Sequence, residues 1–439
     1  MTRVKFVVVV MVGGVLISSR GASADVVTEW NAVAANAALA ACIAPTDNPL
    51  HESRMYAMSH LAIHDALNAI DRRSQPYAFR GQAAAGTSID AAVAAAAHRV
   101  MVTLIGQIPF PPACLAAGIA VVEAAYIGAL ATIPGGPAKL DGIALGEAAA
   151  SAILTLRADD GSDTPLFDFD YPQGTEPGEY RFTPGFNFVF APGWADVTPF
   201  ALQRSNQFRP APPYRIASKK YADDFNEVKD LGGDDVTTPS LRTNDQTEAA
   251  RFWVESSPLL WNRIARTVSE SQGLTPWENA RLFGLLNVAL ADGYIGSFEA
   301  KRHYNFWRPV TAIREGDTDG NPATAGDPTW TPLVPTPPIT DHDSGHSTEG
   351  GAAAEVLRLF FHDDAIAFST CSFTLLAGSR CSEPGAIVRS FASFSEAEAE
   401  NGVSRILVGF HFRHAVTEGI EHGRHIARHT VTQILKPEH

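Results

Sequence analysis

From Trp30 to Leu156 the chain is written largely in alanine, and its bulkier apolar residues return at helical rather than alternating spacing. That feature narrows the fold more than any other. Alanine is the residue that loses least on entering a helix. β-branched runs are few, and no stretch alternates with the period of two that a half-buried strand requires. In Arg54–Ile70, the residues Met58, Leu61, Ile63, Leu67 and Ile70 cover most of a helix circumference, which predicts a helix buried on nearly every side. Ala91–Ile105 and Ala138–Leu156 continue the pattern. Helices with so little side chain between them pack closely. The expected fold class is all-α.

The texture changes between Arg157 and Tyr214. Proline, glycine, aspartate and aromatic residues crowd together, as in Pro172-Gln173-Gly174 and Pro210-Ala211-Pro212-Pro213. Irregular segments of this length in a compact protein are either functional or disordered. The aromatic content predicts one that packs down over a pocket. Helical signals return from Ile216. Thr275-Pro276-Trp277-Glu278 combines an N-cap, a proline at the first helical position and a capping-box glutamate, so a helix should run from there toward Lys301. A second irregular stretch spans Asp317–Asp343. A helix should then open near Ser344 and run to Phe361, and 404–435 reads as mostly helical, interrupted by glycines. There is no internal repeat. The expected division is a leader at 1–24, a helical region at 25–156, the irregular segment at 157–215 and a second helical region at 216–439, the two helical regions forming one compact domain.

Residues 1–24 read as a secretory signal. Arg3 and Lys5 precede an apolar run from Phe6 to Ile17, too short to span a bilayer comfortably, and Ala22-Ser23-Ala24 offers a cleavage site before Asp25. No later stretch reads as long and apolar enough to span, so the expectation is a soluble, exported protein, periplasmic or extracellular. An even count of four cysteines, Cys42, Cys114, Cys371 and Cys381, then allows two disulfides. A local Cys371–Cys381 bridge with Cys42–Cys114 as its counterpart is one of three pairings open to the sequence. The whole chain carries 34 basic and 48 acidic residues, a net charge of −14. Loss of the leader removes Arg3, Lys5 and Arg20 and no acid, giving −17. That balance argues against a general nucleic-acid binder.

Three short segments carry the chemistry. The first is Lys301-Arg302-His303-Tyr304-Asn305-Phe306-Trp307-Arg308-Pro309, where Lys301 and Arg308 stand seven apart and would share one face of a helix that Pro309 ends or bends. The second is Asp343-Ser344-Gly345-His346. It sets a hydroxyl, free amides and an imidazole at the positive end of a helix, which suits an anion. The third is Ser404-Arg405, five further residues, then His411. Lys301, Arg308 and Arg405 together point to a tetrahedral or trigonal-bipyramidal oxyanion. Arginine offers a planar fork of donors to such a group, and lysine a point charge.

The ordered set Lys-x6-Arg-Pro, Ser-Gly-His and Ser-Arg-x5-His resembles the signature of the vanadium-dependent haloperoxidase and type 2 phosphatidic acid phosphatase superfamily. Asn305–Arg314, Trp330–Leu333 and Met58–Ile70 are similar to its soluble haloperoxidase branch. The resemblance implies helical bundles of the vanadium chloroperoxidase type with long irregular loops. It implies that Lys301, Arg308, Ser344, Gly345 and Arg405 bind the oxygens of vanadate or phosphate. His411 would be the axial vanadium ligand or the phosphoryl-accepting nucleophile, and His346 the acid–base residue. Hydrogen peroxide, a halide and an organic acceptor would be the partners of a peroxidase. A soluble phosphatase working through a phosphohistidine is the alternative, and a degenerate oxyanion binder a third.

The sequence departs from the family pattern twice. Asp343 stands where the family usually has proline, and a carboxylate there is expected to repel an oxyanion or raise the pKa of His346. Ala415 stands where the family often has an aspartate that orients the last histidine; Glu418 or a backbone carbonyl is the expected substitute. Between Arg405 and His411, either Gly409 breaks the helix or the reach of the arginine covers the gap. Blander readings apply elsewhere. His342 and His346 superficially copy a zinc-protease pair, but no third ligand is marked and the intervening residues do not suit a zinc helix. His60 and His64 read as structural histidines, and His422, His425 and His429 as a polar face.

Overall fold

The computed structural model describes residues 25–438; the leader expected at 1–24 lies outside the described residues. Thirteen α-helices follow one another among those residues: α1 Val26–Ala40, α2 Pro49–Ile70, α3 Ile89–Ile105, α4 Pro112–Thr132, α5 Pro137–Leu156, α6 Lys219–Leu231 and α7 Asn244–Phe252, then α8 Ser257–Gln272, α9 Pro276–Tyr304, α10 Pro309–Arg314, α11 Gly345–Phe361, α12 Phe394–Leu407 and α13 Arg413–Gln433. Two small antiparallel ribbons interrupt them, β1 Phe167–Asp168 against β2 Val189–Phe190 and β3 Phe368–Thr370 against β4 Arg389–Phe391. The all-α expectation holds.

Local chemistry starts the helices that matter. Asp25 caps α1 by accepting from the amides of Val27 and Thr28 at 2.8 and 3.0 Å. Thr275 and Glu278 form the capping box expected of α9. α2 is buried along nearly its whole length and packs on α9 and α3, while α11 lies between α13 and α9. One apolar cluster takes in Trp30, Leu61, Val100, Leu260, Leu285 and Ala353, so the early and late helices share a core. His60 and His64 are structural, as read: His60 meets the Asn31 amide at 2.7 Å, and His64 meets Ser74 at 2.7 Å and Asp65 at 3.1 Å.

The irregular segment after α5 packs down. Tyr180, Val189 and Trp194 form a cluster with Tyr294, Ile295 and Phe298 of α9. The Asp292 carboxylate on α9 accepts the amides of Phe200, Ala201 and Leu202, which satisfies a turn that would otherwise carry three free donors. Both disulfides form as Cys42–Cys114 and Cys371–Cys381.

Two expectations need correction. α4 is long and apolar enough, by length and composition, to cross a membrane, and only 11% of its most apolar window is buried; the reading that no later stretch qualifies is overturned. Alanine content hid it, because many small apolar residues sum to a high mean hydropathy without any bulky run. Nor do the glycines of 404–435 all interrupt helix. Gly409 alone breaks it, at φ +85° between α12 and α13. Gly419 and Gly423 sit inside α13 where the backbone of α11 approaches. A Cβ at Gly419 would lie 2.8 Å from the Ser344 carbonyl oxygen, and one at Gly423 would collide with the Thr348 carbonyl.

Candidate active site

Lys301 and Arg308 do not share a helix face. α9 ends at Tyr304 because Asn305 adopts a left-handed conformation at φ 45°, which asparagine tolerates better than most residues. Arg308 precedes Pro309, which discourages helical backbone at 308 and itself opens α10. The two cations converge all the same on the segment Ile339–Asp343. Lys301 Nζ donates to the carbonyls of Thr340 at 3.1 Å, Asp341 at 2.9 Å and Asp343. An ammonium has three donors, so its hydrogen bonds are fully engaged in clamping this loop. Arg308 Nε donates to the Ile339 carbonyl at 2.5 Å and Nη1 to that of Phe410 at 3.0 Å.

His411 lies against Arg308. Its Nδ1 is 2.9 Å from Asp341 Oδ1, and its Nε2 is 2.9 Å from Arg308 Nη1. A guanidinium only donates, so Nε2 accepts and carries no proton. The single imidazole proton is therefore on Nδ1 and is given to Asp341. This tautomer leaves the Nε2 lone pair on the cationic side of the ring.

Ser344 precedes α11 and its amide donates to the Ala415 carbonyl at 3.0 Å. Its Oγ accepts from Ser347 Oγ at 2.8 Å. Around Gly345 the backbone is open: a Cβ there would meet only Ser297 Oγ, at 3.7 Å. His346 Nε2 is 3.2 Å from the Glu255 carbonyl, to which it donates, leaving Nδ1 as the free acceptor. Arg405, near the end of α12, donates from Nη1 to the Trp253 carbonyl at 2.8 Å and lies 5.0 Å from the Phe410 ring centroid, while its Nε is buried without a partner. Gly409 breaks the chain. The amides of Phe410 and His411 then fold back onto the Arg405 carbonyl at 3.0 and 3.2 Å, which brings residues six apart into register.

Burial shifts these groups in a consistent direction. Desolvation, with Arg308 close by, lowers Lys301 to about 7, and desolvation with the same neighbour lowers Arg405 to about 9. Burial followed by Arg308 and Lys301 holds His411 well below the ordinary imidazole range. Burial followed by Arg405 does the same to His346. Burial pushes Asp341 up to about 7 against the pull of Arg308 and Lys301. The site thus presents two neutral imidazoles beside two buried guanidiniums and a lysine whose positive charge burial weakens.

Sequence reasoning missed two residues that build it. Asp341 takes the orienting role expected of Glu418; the Glu418 carboxylate instead accepts from the Ala211 amide. The signal was a second carboxylate two residues before Asp343, in a loop whose path no local pattern gives. His422 is not part of an exposed polar face. It is fully buried, and its Nδ1 is 2.8 Å from Asp343 Oδ2. Asp343 also accepts from Ser297 Oγ at 2.7 Å and Thr348 Oγ1 at 3.0 Å. Burial alone would raise it, but His422, Lys301 and the hydroxyl of Ser297 hold it far below the usual carboxylate range. The expected rise of His346 does not occur, since burial and Arg405 lower it, and the Asp343 carboxylate is met by side chains of α9, α11 and α13. His342 and His346 are engaged by different segments, at the Ala211 and Glu255 carbonyls respectively, and do not form a pair.

The arrangement suits an oxyanion on three grounds. Arg405 Nε is an orphan buried cationic donor, Gly345 leaves its backbone approachable, and His411 Nε2 carries a lone pair facing the cations. Residues 281–437, which include every residue of this site except Trp253 and Glu255, match the family model of the VCPO second helical-bundle domain. Vanadium chloroperoxidase of Curvularia inaequalis is 28% identical over 288 residues, 52% of this chain and 46% of that protein, so the match spans about half the length of the relative. The structure of the first bacterial vanadium-dependent iodoperoxidase superposes with a TM-score of 0.75 at 22% identity, covering 94% of this chain and 98% of that one. An apo-type bacterial vanadium-dependent chloroperoxidase superposes at 0.69 and 14% identity, covering 88% and 94%. The fold is that of these vanadium-dependent haloperoxidases, and residues 281–437 carry the match to the second helical-bundle domain.

Proposed function

We propose that this protein is a vanadate-dependent haloperoxidase, exported by its leader, that oxidises a halide with hydrogen peroxide. Arg308, Ser344, Gly345 and Arg405 would surround the oxygens of vanadate, with Lys301 adding positive charge from behind the loop it clamps and His411 Nε2 as the protein's ligand to vanadium. The bound group supplies Lewis acidity that polarises peroxide toward attack by halide. Arg405 and Arg308 offer fixed, desolvated positive charge where negative charge collects. Asp341 keeps His411 in the tautomer that presents its lone pair. Lys301 holds the loop that carries Ser344.

The observation that carries the peroxidase reading is the hydrogen bond of His346 Nε2 to the Glu255 carbonyl, which leaves Nδ1 as the lone-pair nitrogen of the ring. A phosphatase would need this imidazole protonated in order to protonate a leaving alcohol. Burial and Arg405 keep it neutral, with Nδ1 free. A neutral imidazole accepts a proton from incoming peroxide, as a base should. The names borne by the similar proteins, chloroperoxidase and iodoperoxidase, agree with that reading.

The test is a paired assay on the mature protein. Vanadate-dependent bromination of monochlorodimedone by peroxide supports the proposal. Hydrolysis of p-nitrophenyl phosphate that vanadate inhibits would replace it with the phosphatase. Vanadate binding with neither activity would leave an oxyanion binder. His411→Ala should abolish whichever activity is found, and turnover surviving that change would remove His411 from its role.

A further inference from the structure

A cavity of about 490 Å³ opens between α2, α3 and the end of α5, and no residue of the oxyanion site lines it. His51, Arg54 and Met58 stand three and four apart on α2 and so turn one helix face toward it. Its volume falls in the range of small-molecule sites, about 300–1,000 Å³. Met58, Leu104 and Ile108 give it an apolar wall.

Arg54 is the group that calls for a ligand. It is only 8% exposed. Its Nε donates to Asp160 Oδ2 at 2.9 Å and its Nη2 to the Arg157 carbonyl at 3.0 Å, but Nη1 has no partner among the described residues. Arg157 lines the same cavity and is occupied. Its Nε donates to Asp160 Oδ2 at 3.0 Å, Nη1 to the Pro199 carbonyl at 2.9 Å and Nη2 to the Thr198 carbonyl, and its guanidinium lies 3.8 Å from the Phe200 ring centroid. Two guanidiniums against the one carboxylate of Asp160 leave this wall with a single positive charge. Burying such a charge is costly unless its donors are met, and the open end of Arg54 is where an acceptor from outside fits.

We propose that this cavity binds a small organic monocarboxylate, with its carboxylate on Arg54 Nη1 and its hydrocarbon along Met58, Leu104 and Ile108.

The lining selects that class. One unbalanced positive charge matches a monoanion, and a planar carboxylate matches the edge of a guanidinium. Asp163 is exposed at the rim and repels ions of higher negative charge. His51 adds no charge, since burial and then Arg54 lower it to about 4. A bare inorganic anion has no use for the apolar wall, whereas a hydrocarbon tail gains about 25 cal/mol for each Å² it buries there. The inference is independent of halide oxidation and of what the oxyanion site holds.

Calorimetric titration of the mature protein with 3-phenylpropionate tests it. One equivalent should bind, with a Kd of about 1 mM or tighter. The neutral amide, 3-phenylpropionamide, should bind at least tenfold more weakly. Thr103 lines the cavity and its hydroxyl bonds the Arg99 carbonyl on its own helix, so Thr103→Trp fills the space without disturbing the Arg54–Asp160 pair. That variant should lose at least tenfold in affinity at an unchanged melting temperature. Arg54→Gln should abolish binding; it also takes a partner from Asp160, and Thr103→Trp decides the matter if Arg54→Gln does not fold. His411→Ala, in the oxyanion site, should bind the probe as wild type does. Absence of binding by wild type, equal affinity for acid and amide, or unchanged affinity in Thr103→Trp overturns the proposal. Loss of binding in His411→Ala would place the carboxylate in the oxyanion site and overturn it as well.

Discussion

His411 Nδ1 donates to Asp341 Oδ1 across 2.9 Å, and that bond decides which nitrogen of the imidazole faces Arg308. The partner is a loop residue seventy positions earlier rather than a neighbour on α13. Asp341→Ala removes the acceptor and frees the ring to turn or change tautomer. Loss of such a partner typically costs 10–100-fold in the affinity of the group the histidine holds. Calorimetric titration with vanadate should show a loss of that order with the fold intact. Unchanged affinity would mean that the loop carbonyls alone orient His411.

Asp343 answers to stability more than to chemistry. Asp343→Ala would leave the Nδ1–H of His422 and the hydroxyls of Ser297 and Thr348 facing an apolar gap. Leaving buried donors unsatisfied in this way costs about 1–3 kcal/mol for each. The depressed pKa gives the sign of the pH dependence. Its contribution is complete above the ordinary carboxylate range, about pH 4, and drains as pH falls below it toward the depressed value. Urea unfolding should therefore separate wild type from variant widely at pH 7 and less at pH 3.

Glu52 works in the opposite direction. Burial raises it from 4.5 to about 8, although Ser256 Oγ donates to Oε2 at 2.6 Å. Between those values the folded protein keeps a proton that the unfolded chain has released. Stability should then decline with rising pH through that window, by at most about 1.4 kcal/mol per unit from this group. Glu52→Gln should flatten the decline. Equal slopes for wild type and variant would place the ionisation elsewhere.

What the residues reveal on their own follows from how far each determinant reaches. The capping box at Thr275 and the burial of α2 are local facts, set by spacing within one helix, and both were legible. The convergence of Lys301, Arg308, Ser344, His346, Arg405 and His411 was legible as an ordered pattern. The route to it was not. A left-handed Asn305 redirects the chain between Lys301 and Arg308, and many asparagines in helices do no such thing. Asp341 and His422 act across long sequence separations, so nothing beside them in the chain marks their partners. α4 escaped notice for a different reason, since alanine gives mean hydropathy without bulk.

The exposed helix α4 depends on its covalent tie. Only Gly118 and Val122 of its residues are buried, so apolar contact holds it weakly, and Cys114 near its start is bonded to Cys42 just after α1. The two disulfides close segments of different size, with sequence separations of 72 and 10. On chain entropy alone their loss would cost about 4.4 and about 2.7 kcal/mol respectively. The Cys42→Ser/Cys114→Ser variant should therefore be the less stable of the two double variants in denaturant. Its lesion should also be local, because α4 can lift away while the shared core of α2, α9 and α11 stays packed. Hydrogen exchange should accelerate across Pro112–Thr132 before any change appears in α9 or α11. Protection of α4 equal to that of wild type would show that its contacts with α1 and α3 suffice without the bridge.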